Sequence, residues 1–125
     1  MAAAPIRVVL VEDNEVFQQT LELLLGLRED IEVIASVGDG ARASGVCAAL
    51  GPDVVLMDYR LPGLDGVEAT RAVLAASPGS AVVCLSAMAT ARELEAIHAA
   101  GAVECLSKDA ELDEIVAAIR RAARR

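Results

Sequence analysis

Hydrophobic positions along the chain follow two alternating periods. Arg7-Val8-Val9-Leu10-Val11-Glu12 is an almost continuous apolar run that stops at acids, the pattern of a strand covered on both faces. Asn14 is placed to cap a helix in which Phe17, Leu21 and Leu24 recur at i, i+4 and i+7, with its end near Leu27. Val16, Leu23 and Leu27 form a second apolar stripe on that helix, read here as core rather than partner surface. The alternation then repeats. Ile31 to Val37 reads as a strand, Asp39 to Leu50 as a helix, and Asp53 to Asp58 as a second continuous apolar strand ending in an acid. After the turn-rich stretch Tyr59 to Gly66, a helix runs from Val67 to Ala76 and is broken by Ser77-Pro78-Gly79. Ala81 to Leu85 is a fourth strand ending at Ser86. Thr90 caps a helix to Ala100 that Gly101 stops, and Val103 to Ser107 is a short fifth strand. The last helix places Leu112, Ile115, Val116 and Ile119 on one face, with Arg120, Arg121, Arg124 and Arg125 near the negative end of its dipole.

Repeated β-then-α units imply a parallel sheet, because each parallel connection needs a helical crossover. The expected fold is therefore α/β, a doubly wound five-stranded parallel sheet over residues 1–125 as one domain. Such sheets bind ligands outside the carboxyl ends of their strands, where strand order reverses. Composition narrows the function classes. With 19 Asp+Glu against 11 Lys+Arg the formal charge is −8, which argues against direct nucleic-acid contact from this domain. Aromatics make up only 2%, which disfavours a large aromatic-lined ligand pocket. No apolar run is long enough to span a membrane, and Met1 to Pro5 lacks the features of a signal peptide, so a cytoplasmic protein is expected. Cys47, Cys84 and Cys105 are an odd set without close spacing, consistent with reduced thiols and with neither a disulfide frame nor a zinc site.

The polar residues that end strands are Glu12 and Asp13 after the first, Asp58 after the third, Ser86 after the fourth, and Lys108, the single lysine, just past the fifth. Three carboxylates gathered at one edge repel by roughly 1 kcal/mol per pair in water, and more when partly buried, so a cation must offset them. An all-oxygen set suits a hard divalent ion, magnesium in particular, with room left for a phosphoryl oxygen. Lys108 and the Ser86 hydroxyl suit the same phosphoryl group. A carboxylate beside the metal can attack phosphorus in line and become an acyl phosphate.

Val8-Val9-Leu10-Val11-Glu12-Asp13-Asn14, Val55 to Gly66 (VLMDYRLPGLDG), Leu85-Ser86-Ala87 and Leu106-Ser107-Lys108 resemble, in order and separation, the four signature blocks of the receiver domain of bacterial two-component response regulators. That resemblance implies the flavodoxin-like strand order 2-1-3-4-5. It implies Asp58 as the residue phosphorylated by a sensor histidine kinase, and magnesium held by Asp13, Asp58 and the Arg60 backbone carbonyl, with Glu12 acting through a bound water. Ser86 and Lys108 would hold the phosphoryl oxygens, and the small Ala87 would leave access to them. Pro62 and Gly66 would shape the loop after the acceptor. The chain departs from the family pattern twice. Asp109 replaces the usual proline after Lys108, removing the need for a cis peptide, and is expected to cap the last helix as in the branch with a helix-turn-helix output domain. Cys105 stands where the family's switching aromatic usually lies, so activation would have to proceed through Ser86 and the β4–α4 segment. The resemblance implies no enzymatic activity beyond phosphoacceptance and autodephosphorylation. It implies a transcriptional output through a DNA-binding effector domain absent from this chain, and a possible homodimer on phosphorylation.

Rival readings stay open at this point. Gly38-Asp39-Gly40-Ala41-Arg42-Ala43 matches G-x-G-x-x-A, a dinucleotide signature, although a turn with an Asp39 cap explains it as well. His98 could relay phosphate but reads as a surface or packing residue, and Cys84 and Cys105 read as inert strand thiols. A stand-alone phosphatase using Asp58 lacks a substrate pocket in the sequence. A stand-alone receiver acting by protein contacts and a phosphate-independent pseudo-receiver both fit the same fold.

Overall fold

The computed structural model describes residues 4–87 and 90–124. Ten elements alternate in chain order: β1 (Ile6–Val11), α1 (Glu15–Gly26), β2 (Ile31–Val37), α2 (Gly40–Leu50), β3 (Val54–Asp58), α3 (Gly66–Ala76), β4 (Ala81–Ser86), α4 (Ala91–Ala99), β5 (Glu104–Ser107) and α5 (Leu112–Ala123). The five strands form one sheet in the order β2-β1-β3-β4-β5, all pairings parallel. This is the doubly wound flavodoxin-like topology expected from the strand pattern and the resemblance. Order reverses between β1 and β3, so the crevice at their carboxyl ends is where a ligand belongs.

Side chains alternate across the sheet with the strand period of two. Val8, Leu10, Leu56 and Leu85 face one way, packing on Leu21 and Leu25 of α1 and Ile115, Val116 and Ile119 of α5. Val9, Val11, Val55, Met57 and Cys84 face the other way, toward Ala43 and Cys47 of α2, Ala69 and Val73 of α3 and Ile97 of α4. Every residue of β3 is buried, which explains its unbroken apolar sequence.

Three helix starts, at Asn14, Asp39 and Thr90, act as expected, and Asp65 supplies a fourth cap that the sequence pattern does not single out. Asn14, Asp39, Asp65 and Thr90 each accept a backbone N–H in the first turn of the helix they precede. Gly51, at φ +57°, closes α2 in the left-handed conformation. Gly66 starts α3 so close to the end of β3 that a Cβ there would lie 2.6 Å from the Asp58 carbonyl oxygen and 2.7 Å from Tyr59 Cα.

Two expectations are corrected. Val16, Leu23 and Leu27 are not core: they are 74%, 68% and 73% exposed, because α1 turns its Leu21–Leu25 line onto the sheet and the other stripe outward. Asp109 does not cap α5. Glu111 holds that position without a side-chain bond, and the Asp109 N–H instead donates to Ser107 Oγ in the turn after β5. The basic last turn of α5 is used more specifically than a dipole effect requires, since Arg120 forks onto Asp30 and Arg121 onto Glu104. Arg125 lies outside the described residues. Among the described residues no helix is long and apolar enough to cross a membrane.

Candidate functional site

Parallel strands that stop at the same level bring their following residues together. Glu12 leaves β1 with its N–H donated to the Val37 carbonyl, Asp58 ends β3 opposite Leu85, and the Lys108 N–H donates to the Ser86 carbonyl. Lys108 thus reaches back over the carboxyl edge. Its Nζ lies 2.6 Å from Glu12 Oε1 and 3.1 Å from Asp58 Oδ2. Glu12, Asp13 and Asp58 each offer a carboxylate oxygen within 4.8 Å of the other two, Glu12 and Asp58 being buried and Asp13 exposed.

The second carboxylate oxygens of Glu12 and Asp58 are also engaged. Glu12 Oε2 accepts the Asn14 N–H at 2.9 Å, and Asp58 Oδ1 accepts the Arg60 N–H at 3.2 Å. Burial pushes the Glu12 carboxyl above its usual range, aided by the Asp58 charge and opposed by Lys108 and the Asn14 N–H. For Lys108 burial pulls the ammonium pKa down, but the contacts with Glu12 and Asp58 outweigh it and the net displacement is upward. Three carboxylates against one ammonium leave a formal −2 in a half-buried cleft, the charge a divalent cation would neutralise.

Of the residues expected from sequence, Glu12, Asp13, Asp58 and Lys108 converge. Ser86 is buried at the same edge, in register with Ser107, and Ala87 beside it is exposed. The Arg60 backbone stands next to Asp58, while its side chain pairs with Glu93 of α4 at 2.8 Å. Cys105 lies half-buried on β5, directly beside Cys84 of β4. His98 is exposed on α4 and shares a hydrogen bond with the Ala102 carbonyl, away from the site.

Other participants were not singled out as site residues from sequence. The Phe17 ring lies 4.9 Å from Lys108 Nζ and lines the approach of the ammonium, although its periodicity marked it only as core. Gln18 Nε2 donates to the Glu12 carbonyl, tying α1 to the acidic turn. Both lie one turn beyond the acidic pair, a spacing that offers no signal until the helix is placed.

The glycine motif after β2 also has its explanation. Asp39 Oδ1 accepts the Ala41 N–H, and a Cβ on Gly40 would collide with the Leu64 carbonyl oxygen at 1.9 Å. Gly40 is small because the loop after β3 packs on it, so the turn-and-cap reading accounts for the motif without a dinucleotide.

Comparison with known proteins places this geometry in context. The transcriptional regulatory protein LiaR of Bacillus subtilis (strain 168) is 34% identical over 119 residues, covering 95% of this chain and 56% of LiaR. The chain spans about half the length of such curated relatives. Among solved structures, the signal receiver domain of the response regulator NarL from Mycobacterium tuberculosis superposes with a TM-score of 0.93 at 32% identity, covering 98% of both chains. The receiver domain of a Pseudomonas aeruginosa PAO1 sensor histidine kinase, solved with a magnesium ion coordinated in its active-site cleft, gives 0.80 at 31% identity over 98% of this chain and 100% of that one. Residues 8–120 match the response regulator receiver domain family, and the chain belongs to that family.

Proposed function

We propose that the chain is a phosphoryl switch, phosphorylated on Asp58 by a sensor histidine kinase with magnesium, and that it governs transcription through a DNA-binding effector outside residues 1–125. The observation that carries the reading is the position of Lys108 Nζ, 3.1 Å from Asp58 Oδ2. That contact sits within a cluster whose three carboxylate groups lie within 4.8 Å of one another.

In this reading an Asp58 oxygen attacks phosphorus, the bond from phosphorus to the donor imidazole nitrogen breaks, and the ring keeps the electron pair. Lys108 then exchanges one of its carboxylate contacts for a phosphoryl oxygen, and the Ser86 hydroxyl donates to another. Ala87, exposed beside Ser86, leaves the approach open. Asp13, Asp58 and the Arg60 carbonyl are the residues to hold magnesium. Glu12 suits a water-bridged role, because Lys108 and the Asn14 N–H already engage its oxygens. Magnesium, when bound, supplies the positive charge that offsets both the carboxylates and the incoming phosphoryl oxygens.

Phosphorylation adds about −1.5 to −2 charge at a site that is already anionic, so Ser86 is the element drawn inward; of the β4–α4 segment expected to move with it, residues 88 and 89 lie outside the described residues. Cys105 in place of an aromatic leaves that movement without a rotating ring. The exposed Val16, Leu23 and Leu27 stripe of α1 supports a protein-contact surface, for the kinase or for a second copy of the chain. Similarity to full-length regulators such as LiaR supports the transcriptional output.

The test is labelling with a radioactive phosphoramidate donor. Label is expected in the parent with magnesium, lost in Asp58→Asn and lost in chelator. Undiminished labelling of Asp58→Asn would overturn the assignment of the acceptor, and undiminished labelling in chelator would overturn the role of magnesium.

A further inference from the structure

We propose that Cys84 and Cys105 form an oxidisable dithiol that closes to a disulfide between β4 and β5. The two residues are direct partners in the parallel pairing of these strands, and both side chains enter the same apolar layer. Neighbouring strands run about 4.8 Å apart, inside the Cα separation of roughly 4.4–6.8 Å that a disulfide bridges. The two thiols act on one another, Cys105 lying below its usual range and Cys84 above it.

The pair is asymmetric in the way a peroxide-reactive dithiol requires. Cys105 is half-buried and within reach of a small oxidant, whereas Cys84 is fully buried behind it. The neighbouring Cys84 thiol holds Cys105 below its usual range, against burial and the Glu93 charge. Cys47 is different: it stands by itself in α2, fully buried, with its thiol pushed up to about 11 by burial. It serves as an internal control.

With hydrogen peroxide as the oxidant, the Cys105 thiolate attacks one oxygen, the O–O bond breaks and hydroxide leaves to become water, giving a sulfenic acid. The Cys84 sulfur then attacks the Cys105 sulfur and the S–O bond breaks. The departing hydroxyl leaves as water with the Cys84 proton. Two thiols lose two electrons and two protons in total, and one peroxide is reduced to two waters. The resulting bridge would staple β4 to β5 two residues before Ser86 and three before Lys108. This inference does not depend on the phosphoacceptor reading, because thiol chemistry alone tests it.

The experiment treats the chain with hydrogen peroxide, denatures it in N-ethylmaleimide and records intact mass and tryptic peptides. Cleavage at Arg71, Arg92 and Lys108 puts Cys84 and Cys105 on separate peptides, 72–92 and 93–108, so a bridge is read directly. The expected result is alkylation at Cys47 alone, a linked 72–92/93–108 pair, and return of all three adducts after dithiothreitol. Cys105→Ser should keep both Cys47 and Cys84 alkylatable after the same treatment. Full alkylation after peroxide, a sulfinic Cys105 with Cys84 still alkylated, or a bridge between two chains would each overturn the proposal.

Discussion

Lys108→Met isolates the charge balance of the site, because methionine keeps the stem that runs beside Phe17 and removes only the ammonium. Lys108 is the cation between two buried carboxylates, at 2.6 Å from Glu12 and 3.1 Å from Asp58, and its own side chain is 19% exposed. Without it, carboxylates up to 4.8 Å apart repel by about 3 kcal/mol at the effective dielectric constant near 20 that suits such sites. Water entering the partly open cleft lowers that figure, and breaking a fully buried pair costs about 3–5 kcal/mol, so a destabilisation of about 2–3 kcal/mol is expected in chelator. The loss should carry a pH signature. Burial holds the Glu12 carboxyl above its ordinary 4.5, so Glu12 favours the folded state fully below pH 4.5 and this contribution is lost as pH rises through the raised value. The Lys108 contact restrains that rise. Its removal therefore widens the stability gap between parent and variant above pH 4.5 and narrows it on acidification. In the parent the Lys108 contribution is complete below its ordinary 10.5 and is lost as pH rises through its raised value. Urea unfolding across pH, with and without magnesium, is the assay. If the proposed magnesium role holds, the ion should restore more stability to the variant than to the parent, because the variant's acidic cluster keeps its full negative charge. Equal urea midpoints for parent and variant in chelator at neutral pH would show that Lys108 does not hold the carboxylates together.

Gly66→Ala should destabilise by about 1–3 kcal/mol, because the new methyl would meet backbone at 2.6–2.7 Å at the end of β3; a urea midpoint equal to the parent's would show that the turn can yield. Thr90→Ala removes the hydroxyl that accepts the Glu93 N–H at 3.1 Å, and a loss of about 1 kcal/mol is expected, with faster amide exchange in the first turn of α4. Leu23→Glu, at a position 68% exposed, should change folding stability by less than about 0.5 kcal/mol. It should abolish any association that beryllofluoride induces in sedimentation. Unaltered association in that variant would remove α1 from the interface.

Much of the architecture could be read from the order of residues, for a physical reason. β1, β3 and β4 are covered on both faces, so their apolar runs admit no other placement, and acids or serine at their ends mark the carboxyl edge. The convergence of Glu12, Asp13, Asp58 and Lys108 follows from parallel strands ending level. What periodicity does not carry is the choice between two apolar stripes on one helix: Val16, Leu23 and Leu27 look as core-like in sequence as Leu21, and only packing turns them outward. The same limit applies to Asp109, which stands near a helix start but is used by the preceding turn. The contact between Cys84 and Cys105 depends on the register of β4 against β5, which neither strand's sequence encodes by itself. Phe17 is legible as a residue on the packing face of α1, but its place beside Lys108 depends on the angle of that helix.

On the proposed function, Asp58 accepts the phosphoryl group inside the cluster of Glu12, Asp13 and Lys108. The most direct measurement reacts the magnesium-loaded chain with a phosphoramidate donor, reduces any acyl phosphate with tritiated borohydride, and maps the tritium by peptide sequencing. Reduction converts an aspartyl phosphate to homoserine, so tritiated homoserine at position 58 and nowhere else is expected. Tritium at Asp13, or stable phosphate on His98 or Ser86 with position 58 unlabelled, would contradict the account.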